Sequence, residues 1–115
     1  MKRLFSILLL SLLSMTASFA YVETEKEQND FFVIYGKIID TDTRSPLYFA
    51  SINLDGTNIA NVTNSEGFFS LKLPLDVSGE RTITTSYLGY LSTTLKVSDF
   101  LGSSDSKPLI ISMKA

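Results

Sequence analysis

The sequence of 115 residues contains no cysteine and no histidine. Serine–histidine and cysteine–histidine nucleophilic sites are therefore excluded, and so are zinc centres built on imidazole or thiolate. No disulfide can form, and no cysteine is present to carry a diacylglycerol anchor, so stability has to come from packing alone. Basic charge is also scarce: 10 Lys and Arg stand against 12 Asp and Glu, without a basic cluster. A chain of this sign is a poor partner for phosphate backbones, and no nucleic-acid partner is expected. Nor does any set of residues call for a cofactor.

One long hydrophobic run is present, and it lies at the N-terminus. Lys2 and Arg3 precede "LFSILLLSLLSMTASF", and Ser18 and Ala20 offer the small residues of a cleavage site. This pattern predicts a secretory signal peptide over residues 1–20. An uncleaved anchor needs about 20 clean apolar residues, and Ser6, Ser11, Ser14, Thr16 and Ser18 interrupt the run. The chain is thus expected to be exported, to the periplasm, the outer membrane or the medium. Cleavage removes Lys2 and Arg3 and no acid, which shifts the net charge further negative. About 95 residues remain, enough to bury roughly two thirds of their unfolded surface and fold alone.

Residues 21–31, beginning "YVETEKEQND", are polar with alternating charge and no apolar period, and read as a flexible leader. From 32 to 115 the chain breaks into short β-type runs separated by Gly, Pro, Asn, Asp and Ser, the pattern of an all-β sandwich or barrel. In "FFVIYGKIID", Ile34, Gly36 and Ile38 share one face at the two-residue strand period. Pro46 breaks the following segment. "YFASINLD" places Ala50, Ile52 and Leu54 on one side and Ser51 and Asn53 on the other. Asp55 and Gly56 form a hairpin signal before a short strand, "IANV".

Next comes "VTNSEGFFSLKLP". Asn64 and Ser65 are able to bond nearby backbone, and Gly67 is free to take a left-handed conformation, so this is the turn chemistry of a hairpin. Phe69, Leu71 and Leu73 then face one way and Phe68, Ser70 and Lys72 the other, until Pro74 stops the strand. "RTITTSYLGYLSTTLKV" reads as two strands around a bend or bulge at Gly89, with Ile83, Tyr87, Leu91, Leu95 and Val97 inward. "SDFLGSSDSKP" reads as a loop and "LIISM" as a last strand, giving seven strands and no helix.

Carboxylates, hydroxyls, lysines and arginines are the groups left for chemistry. Asp40 and Asp42 resemble the opening of a calcium loop, but its sixth and twelfth places hold Ser45 and Ser51 instead of glycine and glutamate. Glu66, Asp76, Glu80 and Asp99 fall in predicted loops or strand ends, where an acid is usually just solvated. Phe68, on the outward face of its strand, and Tyr87 and Tyr90 are candidates for an aromatic platform that stacks on a glycan or a partner loop.

The ordered string of small motifs resembles the carboxypeptidase regulatory-like domain over nearly all of residues 32–115. Its Gly-x-Val-x-Asp strand falls on Gly36, Ile38 and Asp40, its Pro-Leu step on Pro46 and Leu47, and its Ala-x-Val strand on Ala50 and Ile52. Its Gly-Thr turn falls on Gly56 and Thr57, and its Thr-Asn-x-x-Gly-x-Phe-x-Leu hairpin on Thr63, Asn64, Gly67, Phe69 and Leu71. "SYLGY", residues 86–90, is similar to the family's Ser-Tyr-Ile-Gly-Tyr segment. Where the family has a second glycine this chain has Ala60, and a local adjustment is expected there if that position needs positive φ.

The resemblance implies a seven-stranded Greek-key sandwich of the prealbumin-like type with no catalytic residues. It implies a role as an accessory or N-terminal extension domain, beside a peptidase or a TonB-dependent outer-membrane receptor. A stand-alone carbohydrate- or surface-binding module is the competing expectation. A prealbumin-like hydrolase of the hydroxyisourate type would need histidines.

Overall fold

The computed structural model describes residues 30–115. The predicted signal peptide and residues 21–29 of the predicted leader lie outside the described residues. Seven strands form: β1 (Phe31–Asp40), β2 (Ser51–Leu54), β3 (Ala60–Val62), β4 (Phe68–Pro74), β5 (Thr82–Ser86), β6 (Thr93–Lys96) and β7 (Leu109–Met113). β1 takes in Phe31, which the sequence assigns to the leader, because Phe31 pairs with Pro74 across the sheet.

The strands make two sheets, ordered β4-β1-β7 and β3-β2-β5-β6. β1 runs antiparallel to β4, from Phe31↔Pro74 to Lys37↔Phe68, and parallel to β7, from Gly36↔Leu109 to Asp40↔Met113. In the second sheet β2 lies between β3 and β5, and β5 carries β6 on its far side, all antiparallel. This is the prealbumin-like sandwich that the motif string implies.

The two-residue period decides what lies between the sheets. Ile34 and Ile38 of β1, Ile52 and Leu54 of β2, Leu71 and Leu73 of β4, Ile83 of β5 and Ile111 and Met113 of β7 are all buried, each within one shared core. Alternating neighbours such as Ser70, Lys72 and Ser112 remain exposed. A fully buried side chain of this size contributes about 1.5–3 kcal/mol of transfer free energy, so the paired faces dominate the stability of a chain without cross-links.

Gly36 has a packing reason for its identity. A Cβ there would fall on the ring of Phe69, its cross-strand neighbour. The bare glycine lets that ring lie flat on β1, where it meets Phe100 edge-on at 6.2 Å.

Four sequence expectations are corrected here. Val97 is buried, but it opens a 3-10 turn, Val97–Phe100, and does not continue a strand; Phe100, read as loop, is 1 % exposed and plugs the core. Asp99 Oδ2 accepts a hydrogen bond from the Lys96 amide at 2.8 Å and fixes the start of that turn. Leu91, expected inside, is 66 % exposed, because β6 resumes only at Thr93 and the intervening residues form a loop instead of a bulge. Ala60 pairs with Asn53 in ordinary strand conformation, so no adjustment is needed there. Positive φ falls instead on Arg44 (66°) and Phe49 (71°), and β2 accordingly starts at Ser51, three residues later than the sequence reading.

Candidate functional site

Two loops meet at the end of the sandwich where β1 finishes. The first, residues 47–50, is shaped by Thr63, which is 1 % exposed. Its hydroxyl donates to the Leu47 carbonyl at 2.6 Å and accepts from the Ala50 amide at 2.9 Å. Its own amide donates to the Ala50 carbonyl, and its carbonyl accepts from the Phe49 amide. Four bonds to one residue hold the loop in a bulge that turns Tyr48 and Phe49 outward. Their rings lie 5.6 Å apart, 57 % and 64 % exposed. The left-handed conformation at Phe49 costs about 1–2 kcal/mol for a residue with a Cβ. An exposed side chain returns little of that through burial.

The second loop, residues 87–92, turns at Gly89 (φ 88°), with the Tyr90 amide donating to the Tyr87 carbonyl at 2.9 Å. Leu88 and Leu91 project into solvent, Leu88 at 96 % exposure. Two ties fix the loop. The Leu91 amide donates to the Lys114 carbonyl at 2.8 Å, and the Tyr90 hydroxyl donates to Asp40 Oδ2 at 2.6 Å.

Asp40 is a buried hub. Its Oδ1 accepts from the amides of Asp42 (2.7 Å) and Thr43 (2.8 Å) while its Oδ2 holds Tyr90. The Tyr90 bond first, and the Thr43 amide next, hold this carboxyl below the usual carboxylate range. The same bond to Asp40 raises the Tyr90 phenol above its ordinary value. The acid that resembled a calcium ligand is thus engaged in fixing the turn after β1 and the 87–92 loop.

Between the loops lies a groove of about 730 Å³, lined by Tyr48, Phe49, Tyr87, Leu88, Tyr90 and three serines. No charged side chain lines it. It offers aromatic and aliphatic surface with a few hydroxyls. Elsewhere, Asp55 is held below the usual range by the hydroxyls of Thr82 and then Thr84, at 2.5 and 3.0 Å, which joins the β2–β3 hairpin to β5. Glu80 pairs with Lys96 at 3.2 Å on the exposed surface. Among the described residues no three acidic side chains converge.

Of the residues singled out in the sequence, Tyr87 and Tyr90 come together here, with ring centroids 5.4 Å apart. Phe68 does not join them. It lies half-buried on the outer face of the other sheet, with Lys37 Nζ 4.7 Å from its ring centre. The motif residues have structural positions. Asn64 Oδ1 accepts from the amides of Glu66 and Phe68, and Gly67 (φ 82°) leaves no room for a Cβ, which would lie 2.6 Å from the Ile38 carbonyl. Pro46 bridges to Ile39, and Gly56 turns the chain between β2 and β3.

Sequence reasoning missed Tyr48, Phe49, Leu88 and Leu91. One signal was present: Leu88 and Leu91 flank a turn glycine, where polar residues are usual. Phe49 gave none, because an aromatic at positive φ is rare and its strand-like neighbours mask it.

Compared with known protein families, residues 34–114 match one whose description is CarboxypepD_reg-like domain. No curated protein matches the chain.

Proposed function

We propose, because the chain belongs to the CarboxypepD_reg-like domain family, that it is a non-catalytic module of the cell envelope that docks on another envelope protein. The partner in this reading is an outer-membrane receptor of the TonB-dependent type, which the module serves as a periplasmic accessory or N-terminal extension. The observation that carries docking is the loop-end surface. Tyr48, Phe49, Leu88 and Leu91 put four large apolar side chains in water on two neighbouring loops. Tyr48, Phe49 and Leu88 line one groove, and exposed apolar surface gathered in this way marks interaction sites.

Two features support a role without catalysis. The sequence lacks the histidine and cysteine on which serine–histidine and cysteine–histidine nucleophilic centres depend. The acids with lowered pKa, Asp40 and Asp55, have their oxygens engaged by hydroxyls and amides of the fold. The test is cross-linking of a tagged copy in its native cells, followed by mass spectrometry of what is captured. Recovery of an outer-membrane barrel or its energising apparatus is the expected result. Recovery of the protein alone from a soluble fraction would overturn the reading.

A further inference from the structure

A second concavity lies on the three-stranded sheet, apart from the loop-end surface. It crosses β1 and β4, reaches Asn61 and Val62 of β3 in the other sheet, and encloses about 320 Å³, at the lower end of the roughly 300–1,000 Å³ typical of small-ligand sites. Its lining is mixed: Tyr35 and Phe68 supply aromatic rings, while Asn61, Asn64, Ser70 and Asp105 supply amide, hydroxyl and carboxylate groups.

The fold holds these amides in place without exhausting them. Asn64 Oδ1 accepts from two backbone amides, at 2.9 and 3.0 Å, which fixes its orientation and keeps its Nδ2 donors for another partner. Asn61 donates once from Nδ2 to the Ser70 carbonyl and accepts from the Val62 amide, which leaves one Nδ2 hydrogen. Asp105 is exposed and takes no part in the one ion pair among the described residues. Preset amides and a carboxylate beside aromatic faces suit a ligand with both hydroxyls and an apolar C–H face.

Charge narrows the class. Asp105 is the one charged residue that lines the groove, and Lys37, outside the lining, holds its Nζ 4.7 Å from the Phe68 ring centre. An anionic ligand would meet Asp105. A flat aromatic one would cover the rings and leave the carboxylate and amides without partners.

We propose that this groove binds a ring of a neutral saccharide, with Phe68 and Tyr35 against its apolar face and Asn61, Asn64 and Asp105 on its hydroxyls. The inference does not depend on what docks at the loop end.

The experiment is an amide NMR titration of the ¹⁵N-labelled protein with maltotriose, cellotriose, mannotriose and chitotriose, and with trigalacturonic acid as the charged comparison. The expected result is saturable shifts at Asn61, Asn64, Phe68 and Asp105 with at least one neutral trisaccharide, with a Kd of about 1–10 mM. Asp105→Ala should weaken that binding about tenfold or more. Phe68→Ala should do the same, and if it fails to fold, Asp105→Ala alone carries the test. Absence of shifts at about 20 mM of every neutral probe, shifts confined to residues 48–50 and 87–91, or preference for the charged trisaccharide would each overturn the proposal.

Discussion

Replacing Thr63 by valine isolates the bond network that shapes the first loop. Valine keeps the β-branch and nearly the volume, so the perturbation is the loss of one hydroxyl. The Leu47 carbonyl, in a residue 7 % exposed, then loses its donor, and the Ala50 amide, in a residue 0 % exposed, loses its acceptor. Each buried group left without a partner costs about 1–3 kcal/mol. The added methyl returns less than about 1 kcal/mol. The net expectation is a loss of about 1–6 kcal/mol, at about 4–8 °C of Tm per kcal/mol for a domain of this size.

Thr63→Ser is the informative companion. It keeps the hydroxyl, removes a methyl, and should cost only about 1 kcal/mol. A valine variant less stable than the serine one is the opposite of what apolar burial alone would give. Urea melts followed by far-UV circular dichroism supply both numbers. The reasoning fails if valine lies within about 0.5 kcal/mol of the parent, the range of an unremarkable substitution, or is more stable than serine.

Gly36→Ala should destabilise by about 1–3 kcal/mol, because the new Cβ displaces the Phe69 ring from its seat on Phe100; thermal melts should show that adding Phe69→Leu restores part of the loss. Phe49→Gly should leave stability unchanged or slightly raised, since relief of about 1–2 kcal/mol of left-handed strain offsets the roughly 0.5–1 kcal/mol entropic cost of glycine, while capture of the cross-linked partner falls; a clear loss of stability would show that the ring packs more than its 64 % exposure indicates. Asp40 titrates below its ordinary value of 3.8, so its contribution to stability is complete above that pH and is lost as pH falls through the lowered value. Tyr90 titrates above 10.0, so its contribution is complete below that pH and is lost as pH rises through the raised value. In Tyr90→Phe the acid-side loss should shrink and the alkaline step should vanish, as read from denaturation midpoints across pH; an unchanged profile would remove the Tyr90 to Asp40 bond from the account.

What the sequence made legible follows from period. β2 and β4 alternate cleanly, so their inward residues were readable from residue type alone, whereas β1 buries Ile38, Ile39 and Asp40 in succession and its period showed only at Ile34, Gly36 and Ile38. The 3-10 turn was not, because Val97 and Phe100 are buried three apart within four residues, too short a run to show any repeat. The loop end was half legible. Tyr87 and Tyr90 stood out as aromatics beside a turn glycine, whereas Leu91 was placed inside by carrying the strand alternation across six loop residues that obey no such period. Tyr48 and Phe49 were misplaced for a related reason: the bonds that bulge them outward come from Thr63, distant in sequence, and a local pattern holds no trace of them.

The parallel pairing of β1 with β7 has a mechanical consequence. Because the domain's first and last strands run side by side in the same direction, a pull on its two ends drives them past each other along their length. The hydrogen bonds between them, which lie across that direction, are loaded together in shear and do not open one after another from an end. The pairs from Gly36↔Leu109 to Asp40↔Met113 thus form a clamp across the line of force, and the sandwich behind them is shielded from extension until that clamp gives way.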